Sequence, residues 1–280
     1  MNLPLSASVV QGAELIADQW WSTAVEGVAQ GAVYALLAVA CTRRARAVDL
    51  AQPAAFALGL FACYLTYLGL GFRPGPTPDV GVLPLLGFLA LGLLAAVAVA
   101  AVGSAATGRL PFLLGLAVFA VVEAGLWLLL GSDAEPPVRL FRPHELLPGV
   151  DDVQVTVVVL AAAALAVALR RGGTGWLLTG TAAFLYLLKV PGSAWYLTAV
   201  VVGVYAVTAA VVARTAWGTI VAALALGLVQ VCFETAVGPR WWLPFSLGLL
   251  VVAIAVRLLR ARLAARRPVA REARPVEASV

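Results

Sequence analysis

Apolar residues run along this chain in long unbroken blocks separated by short polar breaks. Nine blocks stand out, at about 24–42, 52–71, 80–102, 111–131, 153–169, 175–190, 194–213, 218–236 and 242–260. The breaks are rich in Arg, Gly, Pro and Asp, which interrupt regular structure. Examples are the hinge from Arg43 to Pro53 and the stretch FRPGPTPD after the second block. A helix needs about 20 apolar residues to cross a bilayer, and most of the blocks approach that length. Within a block the apolar residues are continuous rather than alternating, which excludes a membrane barrel. In lipid every backbone group must be satisfied within the chain, which leaves helices. The pattern predicts an all-α polytopic membrane bundle of about nine transmembrane segments.

Composition points the same way. Of 280 residues, 62% are apolar and 12% charged, and mean hydropathy is +0.98. Soluble domains carry about 45–50% apolar and about 25% charged residues, so a polar shell cannot cover this chain. Its net charge of +5 arises largely in the arginine-rich end after Val256 and is no sign of nucleic-acid binding. The excess of Arg over Lys, with abundant Ala and Val, suggests a high-GC bacterial genome, and a multi-pass protein of such a cell is expected in the plasma membrane. Residues 1–23 lack a basic start and an apolar core of the signal-peptide kind. They read as an extracytoplasmic amphipathic lead-in, with Trp20 and Trp21 at the interface. Residues 24–262 form the membrane domain, and 263–280 read as a basic, disordered cytoplasmic tail.

Basic residues in the connecting loops set orientation. Under a nine-span count, fourteen of them fall on one side, including Arg43, Arg44, Arg46, Arg170, Arg171 and the tail arginines. Five fall on the other, Lys189 and Arg240 among them. The richer side is expected in the cytoplasm, with the N-terminus outside and the C-terminus inside.

Few residues offer chemistry. Gly27 and Gly31 form a small-xxx-small face, and Gly59 extends such packing to the second helix. Glu123 interrupts an apolar run, where a charged group costs about 2.5–3.5 kcal/mol. It therefore faces the bundle, is protonated or lines a polar path. Asp49 stands three residues from Arg46, at ion-pair spacing. Gln52 and Pro53 are expected in the first turn of the second helix, where Pro is tolerated. Glu234 is expected to pair with Arg240 at the outer interface. Cys41, Cys63 and Cys232 read as apolar fillers. His144, the single histidine, has no second ligand near it, so no metal site is expected. Nucleophile-elbow, zinc-protease and phosphate-loop patterns are all missing. The chain is not expected to be an enzyme or to hold a cofactor.

Laid out in order, the motifs resemble the LivH-type permease family of branched-chain amino acid ABC transporters. The family opens with G-x-x-x-G-x-x-Y-A-L, matched here by Gly27, Gly31, Tyr34, Ala35 and Leu36. A hinge similar to R-V-I-N-F-A-H-G follows, here Arg46 to Pro53, with Asp49 for Asn, Gln52 for His and Pro53 for Gly. Phe56, Gly59 and Ala62 match the helix after it. Glu123 to Asp133 and Gly218 to Gln230 are similar to later family segments.

The resemblance implies a permease subunit importing a branched-chain amino acid or related small polar solute. Its implied partners are a second permease subunit, cytoplasmic ABC ATPases and an extracytoplasmic solute-binding protein. Asp49, Gln52 and Glu123 are the expected solute pathway, with Tyr34 and Phe56 joining the glycines as packing positions. One departure matters. The family's polar cytoplasmic loop, which couples to the ATPase, has only RRGGTG at its place. A second alignment sets the apolar TGTAAFLYLL there instead. Either alternative suggests a degenerate permease-like membrane protein with a scaffold or assembly role.

Overall fold

A computed structural model describes residues 5–42, 49, 51–70, 82–107, scattered helical positions between 114 and 128, and 144–171, 175–189, 195–213, 215–238 and 241–265. The helices are α1 (Leu5–Asp18), α2 (Trp20–Thr42), α3 (Ala51–Gly69), α4 (Val82–Thr107), α5 (Asp152–Arg171), α6 (Gly175–Lys189), α7 (Trp195–Val212), α8 (Ala216–Val237) and α9 (Trp242–Ala265). Ahead of α5 a small antiparallel hairpin joins β1 (Glu145–Leu147) to β2 (Val150–Asp151). Its turn uses Gly149 at φ 76°, a left-handed conformation suited to glycine. The turn rests on Ser22 of α2.

The bundle is organised around α2. This helix packs against α8, α6, α7 and α5, and α3 packs on α4 and α6. In the apolar window of α2, 78% of residues are buried, against 11% in α9. Burial thereby distinguishes centre from rim, since both helices are apolar over most of their length. At the rim the outward residues are Leu94 and Val102 of α4, Val159 of α5, Val221 of α8 and Val251 of α9. In water such faces would carry charge; an apolar exterior of this extent is the mark of a lipid-facing surface. The chain is a multi-pass helical membrane bundle.

Among the described residues six helices are long and apolar enough to cross a membrane: α2, α3, α8, and windows of α4, α5 and α9. The sequence pattern anticipated nine. The block at about 111–131 lies mostly outside the described residues. Blocks six and seven became α6 and α7. At 15 residues and about 1.5 Å rise per residue, α6 is about 22 Å long, short of the roughly 30 Å hydrocarbon core. Residues Leu178 to Leu188 of α6 are largely buried, so neighbouring helices rather than lipid surround most of it.

Packing at the centre depends on small residues. A Cβ on Gly227 of α8 would lie 2.4 Å from Gly27 O and Gly31 N of α2. One on Gly31 would lie 2.6 Å from Leu224 Cα. The two backbones are in direct contact, as close approach without a hydrophobic driving force requires. Gly59 of α3 faces Ala183 of α6 and Ala96 of α4. Phe56 meets Tyr186 edge-on at 5.8 Å between ring centroids. Cys41 and Cys63 are buried, and the Cys63 thiol donates to Gly92 O at 3.2 Å.

Candidate functional site: a buried polar network at the centre of the bundle

α2 places Glu26, Gln30 and Tyr34 at successive i, i+4 positions, which puts them on one helical face. That face meets Lys189, the last residue of α6, and Gln230 and Glu234 of α8. Lys189 Nζ donates to Glu26 Oε1 at 2.6 Å and to Gln30 Oε1 at 2.5 Å. Gln30 Nε2 donates to the Tyr34 hydroxyl at 2.7 Å. Tyr34 donates in turn to Gln230 Oε1, and Gln230 Nε2 to Glu234 Oε1. Gln154 of α5 closes the other side, donating to Glu26 Oε2 at 2.7 Å.

The donors all point one way. From the ammonium of Lys189 through two amides and a phenol to the carboxylate of Glu234, each group receives from one neighbour and gives to the next. A positive head and a negative end polarise such a chain, and its bonds reinforce one another at low dielectric. The side chain of Lys189 is 7% exposed and that of Glu26 38%. An ammonium so buried is tolerable only when paired and fully hydrogen-bonded. One helix dipole assists, because Lys189 lies in the last turn of α6, where a positive charge is favoured.

Backbone contact between α2 and α8 makes the network possible. Gln230 is a medium-length side chain, and it meets Tyr34 because Gly27, Gly31 and Gly227 remove the Cβ atoms that would hold the helices apart. Tyr205 of α7 stacks on Tyr34 at 5.2 Å with 13° between the rings. Its hydroxyl is buried and has no hydrogen-bond partner among the described residues.

A second polar cluster lies just past the far end of α2. Asp49 Oδ1 accepts from Ala51 N at 3.1 Å and Oδ2 from Gln52 Nε2 at 3.2 Å. This is the role of an N-cap, satisfying donors at the start of α3. The Asp49 backbone N donates to Cys41 O at 2.9 Å, which closes the hinge between α2 and α3. Thr179 of α6 donates to Gln52 Oε1 at 2.6 Å, and both side chains are buried. Replacing Thr179 by Val keeps the shape and removes the donor. That change is expected to lower stability by about 1–3 kcal/mol, read as a lower unfolding midpoint in detergent; an unchanged midpoint would show the bond to be dispensable.

Of the residues singled out from sequence, Asp49 and Gln52 are in direct contact in this second cluster. Arg43, Arg44, Arg46, Glu123 and Arg240 lie outside the described residues, as does the side chain of Arg171; Arg170 is exposed at the end of α5. Asp49 caps α3. Glu234, expected to pair with Arg240 at the outer interface, ends the donor chain by accepting from Gln230; Arg240 is outside the described residues. His144 is held by Asp152, with Nδ1 3.6 Å from Oδ2. No group of three metal-ligating side chains occurs among the described residues.

Glu26, Gln30, Lys189 and Gln154 did not stand out in the sequence. The available signals were the i, i+4 spacing of Glu26, Gln30 and Tyr34, and the presence of a single Lys among 18 Arg. Compared with protein-family models, characterised proteins and solved structures, the chain finds no match.

Proposed function

We propose that this chain is a membrane permease subunit that carries a small polar solute across a bacterial plasma membrane. The observation that supports the reading is the Lys189-to-Glu234 network. Ionisable groups inside apolar helices are costly, and in membrane proteins they typically line a path for solutes or ions. Transporters place such groups where helices meet near the midplane and move one helical group against another around them. Here α2, α6 and α8 meet at the network, while Asp49, Gln52 and Thr179 form a second polar position beside Cys41, about 22 Å along α2 from Glu26 and about 10 Å from Tyr34 by the rise per residue. On the resemblance to LivH-type permeases, the solute is a branched-chain amino acid or a relative. Energy then comes from separate ABC ATPases, with a second permease and a solute-binding protein completing the transporter. Glu123 remains a pathway residue on this reading.

A second reading, a permease-like scaffold without ATPase coupling, is favoured by one observation. Only residues 172–174 separate α5 from α6, too few for a coupling helix. The alternative candidate for that loop, TGTAAFLYLL, is part of buried α6.

Uptake of labelled leucine, isoleucine and valine by membrane vesicles separates the two. A permease gives uptake that Glu26→Gln or Glu123→Ala lowers at least tenfold while membrane insertion is unchanged, and it co-purifies with an ATPase in mild detergent. Absence of both uptake and ATPase association supports the scaffold.

A further inference from the structure

Antiparallel packing sorts the helix ends into two groups. Gly27 and Gly31 of α2 meet Leu228 and Leu224 of α8 in reverse order. Lys189 at the end of α6 and Gln154 at the start of α5 both bond Glu26. One end of the bundle therefore holds the network. At the other, Gln52 near the start of α3 bonds Thr179 near the start of α6, and Gly103 of α4 lies over Ala55 of α3. α9 begins beside the end of α8, where Phe245 stacks on Phe233, and runs back along α7 to that second end. Charge follows the division. Among the described side chains the network end carries seven acids and one cation, Lys189. The second end carries Arg170, Arg257, Arg260 and Arg262 and one acid, Asp49, which caps α3. The adjoining segments, 43–48, 108–113, 172–174 and 214, contribute five arginines and no acid. After Val256 seven arginines stand against Glu272 and Glu277, so pairing within that stretch leaves a positive excess.

Protein covers the end of α9 very little. From Ile254 to Leu263 every described side chain is exposed. Arg257, Arg260 and Arg262 are interleaved there with Leu258, Leu259 and Leu263, each leucine more than half exposed. The depth of these residues fits a headgroup. Counted from Trp242 at about 1.5 Å per residue, Arg257 lies about 22 Å along the helix and Arg262 about 30 Å. The hydrocarbon core is about 30 Å thick, and long arginine stems carry their charge the remaining distance to the interface. The leucines between them lie at the edge of the acyl chains.

We propose that the end of α9 is a binding surface for anionic phospholipid headgroups. Arg257 and Arg260, three residues apart, are neighbours on the helix surface and can share one phosphate, with Arg262 supplying a third charge. The exposed leucines favour a phosphate that arrives with acyl chains over one in solution. A zwitterionic headgroup offsets its phosphate with its own cation and an anionic one does not, so clustered arginines at this level distinguish the two. The bound lipid gives α9 the contacts that its protein neighbours do not. The surface is independent of any solute and of which end of the bundle faces the cytoplasm.

Native mass spectrometry of the full-length protein, released from detergent holding equal phosphatidylglycerol and phosphatidylcholine, reads the preference. An arginine beside an anionic headgroup strengthens binding about fivefold, so retained phosphatidylglycerol is expected to exceed phosphatidylcholine by about tenfold or more. Arg260→Gln lowers the ratio severalfold, and Arg257→Gln, Arg260→Gln and Arg262→Gln together bring it close to one. The same triple change to Lys keeps the charge and most of the preference. All variants keep the wild-type unfolding midpoint in detergent free of phosphatidylglycerol, because these side chains are exposed. If the triple change to Gln does not fold, Arg260→Gln against Arg260→Lys decides. No preference in the wild type overturns the surface. So does a preference that survives the changes to Gln, or one that free glycerol phosphate abolishes, since a soluble phosphate would then suffice. A dimer that retains no phosphatidylglycerol overturns it too and gives the face to a second copy.

Discussion

Replacing Lys189 by Met is expected to destabilise the bundle by about 3 kcal/mol, at the lower end of the 3–5 kcal/mol lost when one partner of a buried pair is removed. The ammonium is the head of the donor chain, and it holds Glu26 at 2.6 Å and Gln30 at 2.5 Å. Without it the Glu26 carboxylate keeps only its other contacts, among them Gln154 at 2.7 Å. Glu26 is 38% exposed, so water relieves part of its loss, which is why the lower figure applies. The double variant Glu26→Gln, Lys189→Met removes both charges and retains an amide for Gln154. It should recover most of the stability, because removing a whole buried pair is far less harmful than halving it. Thermal unfolding in detergent of the wild type, both singles and the double gives the coupling between the residues. A double variant as unstable as Lys189→Met alone would mean that the ion pair does not account for the effect.

Replacing Gly227 by Ala tests the packing beneath the network, and here two effects compete in sign. Ala is favoured over Gly in a helix by about 1 kcal/mol. Against that, the new Cβ would sit 2.4 Å from Gly27 O and Gly31 N and 2.5 Å from Gly31 Cα. These are backbone atoms in the middle of α2, so no side chain can swing away and the helix itself must shift. Overpacking costs about 1–3 kcal/mol, occasionally more, and the rigidity of the neighbour places this site at the upper end. The expected net loss is about 2 kcal/mol, with the Tyr34–Gln230 bond broken as the helices part. Gly248→Ala in α9 is the control: nothing lies within 4 Å of its Cβ, so propensity alone acts and stability holds or rises. Equal unfolding midpoints for the two variants would be evidence against the close crossing of α2 and α8.

The sequence made the class of protein plain and gave part of the site. Apolar blocks bounded by Pro, Gly and Arg located α2, α3, α4, α5, α8 and α9 because lipid imposes one requirement on every span, and that requirement is written locally in each block. Sequence places Gln52 in the first turn of the second helix, where it lies, but it pairs Asp49 with Arg46 and does not anticipate the bonds to Ala51 N and Gln52. Block six gave α6, at 15 residues shorter than the six candidate spans; its burial could not be read from sequence, because an apolar run buried by protein looks the same as one bathed in lipid. Sequence pairs Glu234 with Arg240, six residues on, which lies outside the described residues. The bond Glu234 accepts comes from Gln230 one turn earlier in α8, and Gln230 accepts in turn from Tyr34 of α2, a link that spacing along the chain does not encode.

Sequence alone determined that the chain folds in lipid as a multi-pass helical bundle, because hydrophobicity is additive along a block and needs no knowledge of neighbours. It also marked Gly27 and Gly31 as a surface for close approach. Only the tertiary structure decided what approaches them. With Gly227 against that surface, Glu26, Gln30, Tyr34, Lys189, Gln230 and Glu234 become one hydrogen-bonded chain spanning residues from 26 to 234. Hydrogen bonds are short and directional, so a polar network exists only once the helices that carry it are in contact, and no spacing along the sequence encodes that contact.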